Sequence, residues 1–188
     1  MLAAAAIIGS SQSPPLNPGD FQALMQAAVA AGAASWTAPV QYICVQRELE
    51  APLKFVKRAS GLPWQTSPNG RFGPQPALDS LLAKAMSRQA VIAPEKLMPS
   101  LAPRFITFST SAPRPKECVI DHDPGIAPTG PRNYSVAITM TRPAFMDGMA
   151  FISEVDDCPG LCGDGMVRVF RKQDGKWTQV ADANLWVS

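Results

Sequence analysis

The chain contains one histidine, His122, and it stands between Asp121 and Asp123. A carboxylate beside an imidazole can orient it as a general base, and one His with two Asp also offers metal-ligating atoms. Adjacent residues seldom converge on one centre, so a solvated polar loop is the simpler expectation for this triplet. Ser109, Thr110 and Ser111 are near enough in sequence to supply a nucleophile, but no Gly-x-Ser-x-Gly elbow surrounds them. Carboxylates for glycoside chemistry would come from Glu48 and Glu50 or from Glu154, Asp156 and Asp157. The latter run adjoins a cysteine-bearing turn and reads as a solvated edge. There is no phosphate-binding glycine loop, no EF-hand spacing and no H-E-x-x-H. These residue types leave enzyme activity open and lean against it: no cofactor or metal is assigned, and His122 with Asp121 and Asp123 is the catalytic candidate.

Sulfur is the other reactive element. Four cysteines, Cys44, Cys118, Cys158 and Cys162, allow three pairings. Between Cys158 and Gly165 one proline and three glycines force the chain to reverse, which can bring Cys158 and Cys162 within disulfide reach. That pairing leaves Cys44 with Cys118. Two other uses of the close pair remain open. A redox couple normally has C-x-x-C spacing at a helix N-terminus, whereas this one is C-x-x-x-C between strand-like flanks. A zinc site would need His122 to join the thiols. A structural staple agrees best with the even count.

The elements that would position these groups follow from periodicity. Asp20 stands where an N-cap belongs, and Phe21, Leu24, Met25, Ala28 and Val29 mark one helical face ending near Gly32. A second helix is predicted from Leu78, Leu81, Leu82, Ala85 and Met86, with Pro76 in its first turn. Strands are predicted over Val40 to Arg47, then Leu53 to Lys57, and from Arg104 through Phe108. The stretch Gly61 to Pro76 reads as loop, and a short helical turn is placed around Glu95 to Leu101. Ser111 to Arg132, with Pro113, Pro115, Pro124, Pro128 and Pro131, reads as a long surface loop. Tyr134, Val136, Ile138 and Met140 alternate as a strand should. Phe145 to Val155 and Met166 to Lys172 read as two further strands, and Asp174-Gly175 turns the second into Lys176 to Val180. Trp177 and Trp186 are then available to the core. The expected fold class is α+β: two N-terminal helices on a mostly antiparallel sheet, ending in a C-terminal β-meander.

With 188 residues, 46% of them hydrophobic, the chain suits one core. Residues 20–188 are taken as that domain, and 1–19 as a flexible leader or the remnant of a signal peptide. Met1 to Ser13 supports the second option with a short apolar run followed by small polar residues, although no Lys or Arg precedes it. Neither this run nor the Ala-rich stretch Ala23 to Ala34 is long enough to span a bilayer. A net charge of +2 argues for neither nucleic acid nor an anionic membrane as partner. The local basic run Lys54 to Arg58 reads as the wet face of a strand rather than a phosphate site.

The last quarter carries one more signal: Leu161-Cys162-Gly163-Asp164-Gly165, then Asp174-Gly175-Lys176-Trp177, then Leu185-Trp186-Val187-Ser188. This order resembles the terminal block of small exported bacterial proteins of unassigned function. The resemblance implies a stapled hairpin followed by a tryptophan-bearing last strand, in a periplasmic or secreted setting, and it implies no catalytic residue. Three functions follow as expectations. The first is a non-enzymatic exported domain with a binding or structural role in the cell envelope, meeting an envelope protein or a small ligand. The second is a small hydrolase or lyase using His122 and a nearby carboxylate. The third is a small-ligand carrier with an apolar cavity between sheet and helices.

Overall fold

Asn17, rather than Asp20, opens the first helix: its side-chain oxygen accepts the Asp20 N–H at 2.8 Å, and Pro18 occupies the first turn, where its missing N–H is no loss. The helix, α1, runs Pro18–Ser35 in a computed structural model that describes residues 16–36, 40–66, 71–87, 105–120, 134–158 and 163–187. Its expected end at Gly32 is passed by three residues, because Gly32 is used for packing rather than for termination. The strands are β1 (Val40–Gln46), β2 (Pro63–Thr66), β3 (Arg71–Pro74), β4 (Phe105–Phe108), β5 (Tyr134–Met140), β6 (Ala144–Met146), β7 (Met149–Asp157), β8 (Gly163–Gln173) and β9 (Lys176–Val187). The second helix, α2, spans Pro76–Ser87.

These strands form one sheet in the order β3-β2-β9-β8-β7-β5-β1-β4, with β6 paired to β7. Pairing is antiparallel except where β1 runs parallel to both β4 and β5. The α+β class and the C-terminal meander are therefore present as expected. The helices, however, pack on opposite faces. Alternation along β7 sends Ala150 and Ile152 to the core under α1, with Leu24, Val29, Val136 and Ile138, while Met149 and Phe151 join Trp64, Leu82 and Ala85 under α2. The single space between the sheet and both helices that the carrier reading required is not formed among the described residues.

Three local expectations are corrected. Lys54 to Arg58 is not in a strand; Leu53 takes a positive φ of 53° and the segment turns. Within the presumed loop Gly61 to Pro76, β2 and β3 form a hairpin, with Pro63 and Pro74 facing each other at its end. Pro74 is tolerated because β3 is an edge strand, and Pro63 because it is the first residue of β2, ahead of the β9 pairing that begins at Trp64. Phe145 to Val155 is not one strand: Asp147 and Gly148 take positive φ of 50° and 73° and turn β6 back onto β7. Asp174 and Gly175 do the same between β8 and β9, as expected. The leader's residues 1–15 and the turn around Glu95 to Leu101 lie outside the described residues. No helix among the described residues is long and apolar enough to cross a membrane.

Candidate functional site

β7 is a central strand covered on both faces, so any charged residue within it is taken out of water. Glu154 and Asp156, two positions apart, point to the α1 face and are 0% and 1% exposed. The expectation of a solvated acidic edge is thus overturned. Across the β7–β8 pair lies Arg168, itself buried. Its Nε donates to Glu154 Oε1 at 2.6 Å, and its Nη2 reaches the same oxygen. Nη1 donates to Gln179 Oε1 at 3.5 Å, and Nη2 also lies 3.5 Å from Ser35 Oγ and 3.2 Å from Met166 Sδ. Asp164 from β8 and Asp182 from β9, paired in register with Asp156 and Arg168, complete a group of four carboxyls around one cation.

The last turn of α1 closes over this group. Trp36 Nε1 donates to Asp156 Oδ2 at 2.8 Å. Gly32 lies against Glu154; a Cβ there would sit 3.1 Å from Glu154 Oε2 and 3.5 Å from Ile138 Cδ1, which explains a glycine inside a helix. Burial is the main influence on the acids. It raises Glu154, against the pull of Arg168, and with the Glu154 charge it pushes Asp156 up to about 8. Burial likewise raises Asp164 and Asp182 against Arg168. For Arg168, burial works against the charge, but Glu154, Asp156 and Asp182 outweigh it and lift its pKa. Strongly shifted groups collected in one place mark the best site candidate among the described residues. No group of three or more His, Cys, Asp or Glu there has metal-binding geometry.

Ser109 has a different neighbour from the one its sequence position suggested. Its Oγ donates to Glu48 Oε1 at 2.6 Å, and the Thr110 N–H donates to Glu48 Oε2 at 3.0 Å. Ser111 Oγ lies 2.8 Å from Ser109 Oγ. Glu48 thereby holds the turn that follows β4, at the carboxyl ends of the parallel strands β1 and β4. A carboxylate that accepts both the hydroxyl and the neighbouring backbone N–H serves as a turn clamp. Glu50 instead pairs with Lys54 at 2.8 Å on the surface. Glu48 and Glu154 thus belong to separate settings, one an exposed turn and the other the sheet interior.

The disulfide expected to join Cys44 to Cys118 is formed, with 5.6 Å between the Cα atoms across 74 residues. Both residues are fully buried and sit in a small core with Phe108, Ile120 and Ala137. A short 3₁₀ turn at Lys116–Cys118 brings Cys118 to the face of β1 opposite Ile43 and Val45. Cys158 is buried and disulfide-bonded; its expected partner, Cys162, lies outside the described residues. So do His122, Asp121 and Asp123. Trp177 packs at the edge of the α1 core beside Phe145, with ring centroids 6.4 Å apart. Trp186 is 40% exposed and lies across Gly165, where a Cβ would come within 2.3 Å of its Nε1, so it covers the sheet rather than filling the core.

The residue that sequence reasoning missed was Arg168. A signal for it existed: Glu154 in Phe151-Ile152-Ser153-Glu154-Val155 and Arg168 in Met166-Val167-Arg168-Val169-Phe170 are single, opposite charges inside apolar strands joined by one turn. Comparison with family models, with curated proteins and with solved structures finds no match for this chain.

Proposed function

We propose that the chain is an exported domain, held together by disulfides in an oxidising compartment, with a non-enzymatic binding or structural role at the cell envelope. One observation carries the reading: Cys44 and Cys118 are 74 residues apart in sequence, fully buried, and joined. Crosslinks of this kind form and persist outside the reducing cytosol. The absence of any free cysteine among the described residues is in keeping with the same setting. The geometry around the candidate reactive groups favours structural roles for them. Ser109 is tied to the Glu48 clamp, and the β7 acids are sealed beneath α1.

The test is thiol trapping from the native host, with acid quenching, a first alkylation in denaturant without reductant so that the buried sulfurs are reachable, and a second after reduction. All four cysteines should resist the first label and accept the second. A first label on Cys44 or Cys118 would place the chain in a reducing compartment and end this reading.

A further inference from the structure

The last turn of α1 puts the wrong end of a helix over the wrong charges. A helix C-terminus carries the negative end of the macrodipole, and a basic residue in the final turn commonly answers it. This helix has no basic residue there. Beneath it lie Glu154 and Asp156, with Asp164 and Asp182 from the neighbouring strands, and Arg168 as the one cation among the described residues that faces them. Arg168 is committed to Glu154. Asp156 receives only the neutral indole N–H of Trp36 on Oδ2, while its Oδ1 and Glu154 Oε2 are buried with no hydrogen-bond partner among the described residues. From β5, the residue opposite Asp156 is the apolar Ile138. A second bare carboxylate in this position would be buried, unpaired and beside two negative neighbours, a state proteins avoid by neutralising the group.

We propose that Asp156 is a proton-operated latch for the end of α1. In its protonated form it lets the turn containing Gly32, Ser35 and Trp36 close over the carboxyl group; once the proton is lost, the turn lifts and water reaches the charge. Two effects oppose this: the Trp36 hydrogen bond, which strengthens to a carboxylate, and the weaker attraction of Arg168. They are set against desolvation, the charges of Glu154 and Asp164, and the helix dipole together. Phe21, Leu24, Met25, Ala28 and Val29 are buried in the core under α1 and keep that length of the helix docked, while the lifting turn gives up the burial of Ala33. The hinge of this latch therefore lies between Val29 and Gly32.

The experiment follows the indole ¹⁵N–¹H resonance of Trp36 and the amide protection factors of α1 from pH 6 to 10. In the wild type the resonance should titrate with a midpoint near 8. Protection at positions 32–36 should fall at least tenfold across it, while positions 21–28 keep theirs. Asp156→Asn, a neutral acceptor for the same indole, should hold both readouts flat. Trp36→Phe, which keeps the ring and loses the donor, should leave positions 32–36 poorly protected even at pH 6. A wild type with no titration would overturn the latch, as would a titration that persists in Asp156→Asn or a loss of protection shared by positions 21–28.

Discussion

Removing the Cys44–Cys118 crosslink by the double substitution Cys44→Ala and Cys118→Ala tests how much of the fold's stability depends on it. The bond closes a loop of 74 residues that contains β2, β3, α2 and β4. In the chain-entropy description, a loop of that size withholds about 15 cal/mol/K from the unfolded ensemble, or ~4 kcal/mol at 25 °C. Loss of two buried sulfurs from the small core around Phe108 and Ile120 adds to this. Against a typical total of roughly 5–15 kcal/mol, the variant should be only marginally folded. Urea unfolding followed by circular dichroism gives the free energy, and its slope gives a second readout. The uncrosslinked unfolded chain exposes more surface, so the m-value should rise as the midpoint falls. A loss smaller than ~1 kcal/mol with an unchanged slope would refute the reasoning, since the unfolded chain would then gain nothing from being released.

Two further outcomes are expected. Asp156, raised from an ordinary 3.8 to about 8, keeps its proton in the folded state over a range where the unfolded chain has lost it. Its contribution is complete below the unfolded value, declines by at most ~1.4 kcal/mol per pH unit above it, and is gone once the folded value is passed. Stability measured at pH 6 and pH 9 should therefore fall in the wild type relative to Asp156→Asn, and a wild type that gains on the variant as pH rises would contradict the linkage. Asp79 on α2 accepts the Gly61 N–H and the Trp64 indole N–H, each at 2.8 Å, and Trp64 is fully buried. Asp79→Ala should cost roughly 1–3 kcal/mol by stranding that donor, and thermal unfolding indistinguishable from wild type would show the clamp to be idle.

Particular residues show where sequence reading succeeds. The 3.6-residue spacing of Leu78 to Met86, the alternation of Tyr134 to Met140 and the positive-φ pair Asp174-Gly175 each describe a local conformation, and each is found. The same Asp-Gly signal at Asp147-Gly148 was hidden because the apolar residues on either side continued the run. The β2–β3 hairpin was hidden by its prolines, which are permitted because Pro74 is on the edge strand β3 and Pro63 opens β2 ahead of its pairing with β9.

The acids of β7 mark the boundary between the two kinds of information. By composition, Glu154, Asp156 and Asp157 resemble a wet edge; they come after an apolar strand and before a turn. The exposure of a strand residue, however, depends on which strands flank it and what covers its face. Pairing β7 between β5 and β8 and laying α1 across them puts Glu154 and Asp156 in the interior. Local spacing determines the helices, the turns and the even set of cysteines, since these depend on neighbours a few residues away. The counter-charge from Arg168 and the proton on Asp156 depend on groups that only the folded chain brings together. Desolvation and charge interactions act through space, so they have no address in the sequence until the sheet order is known.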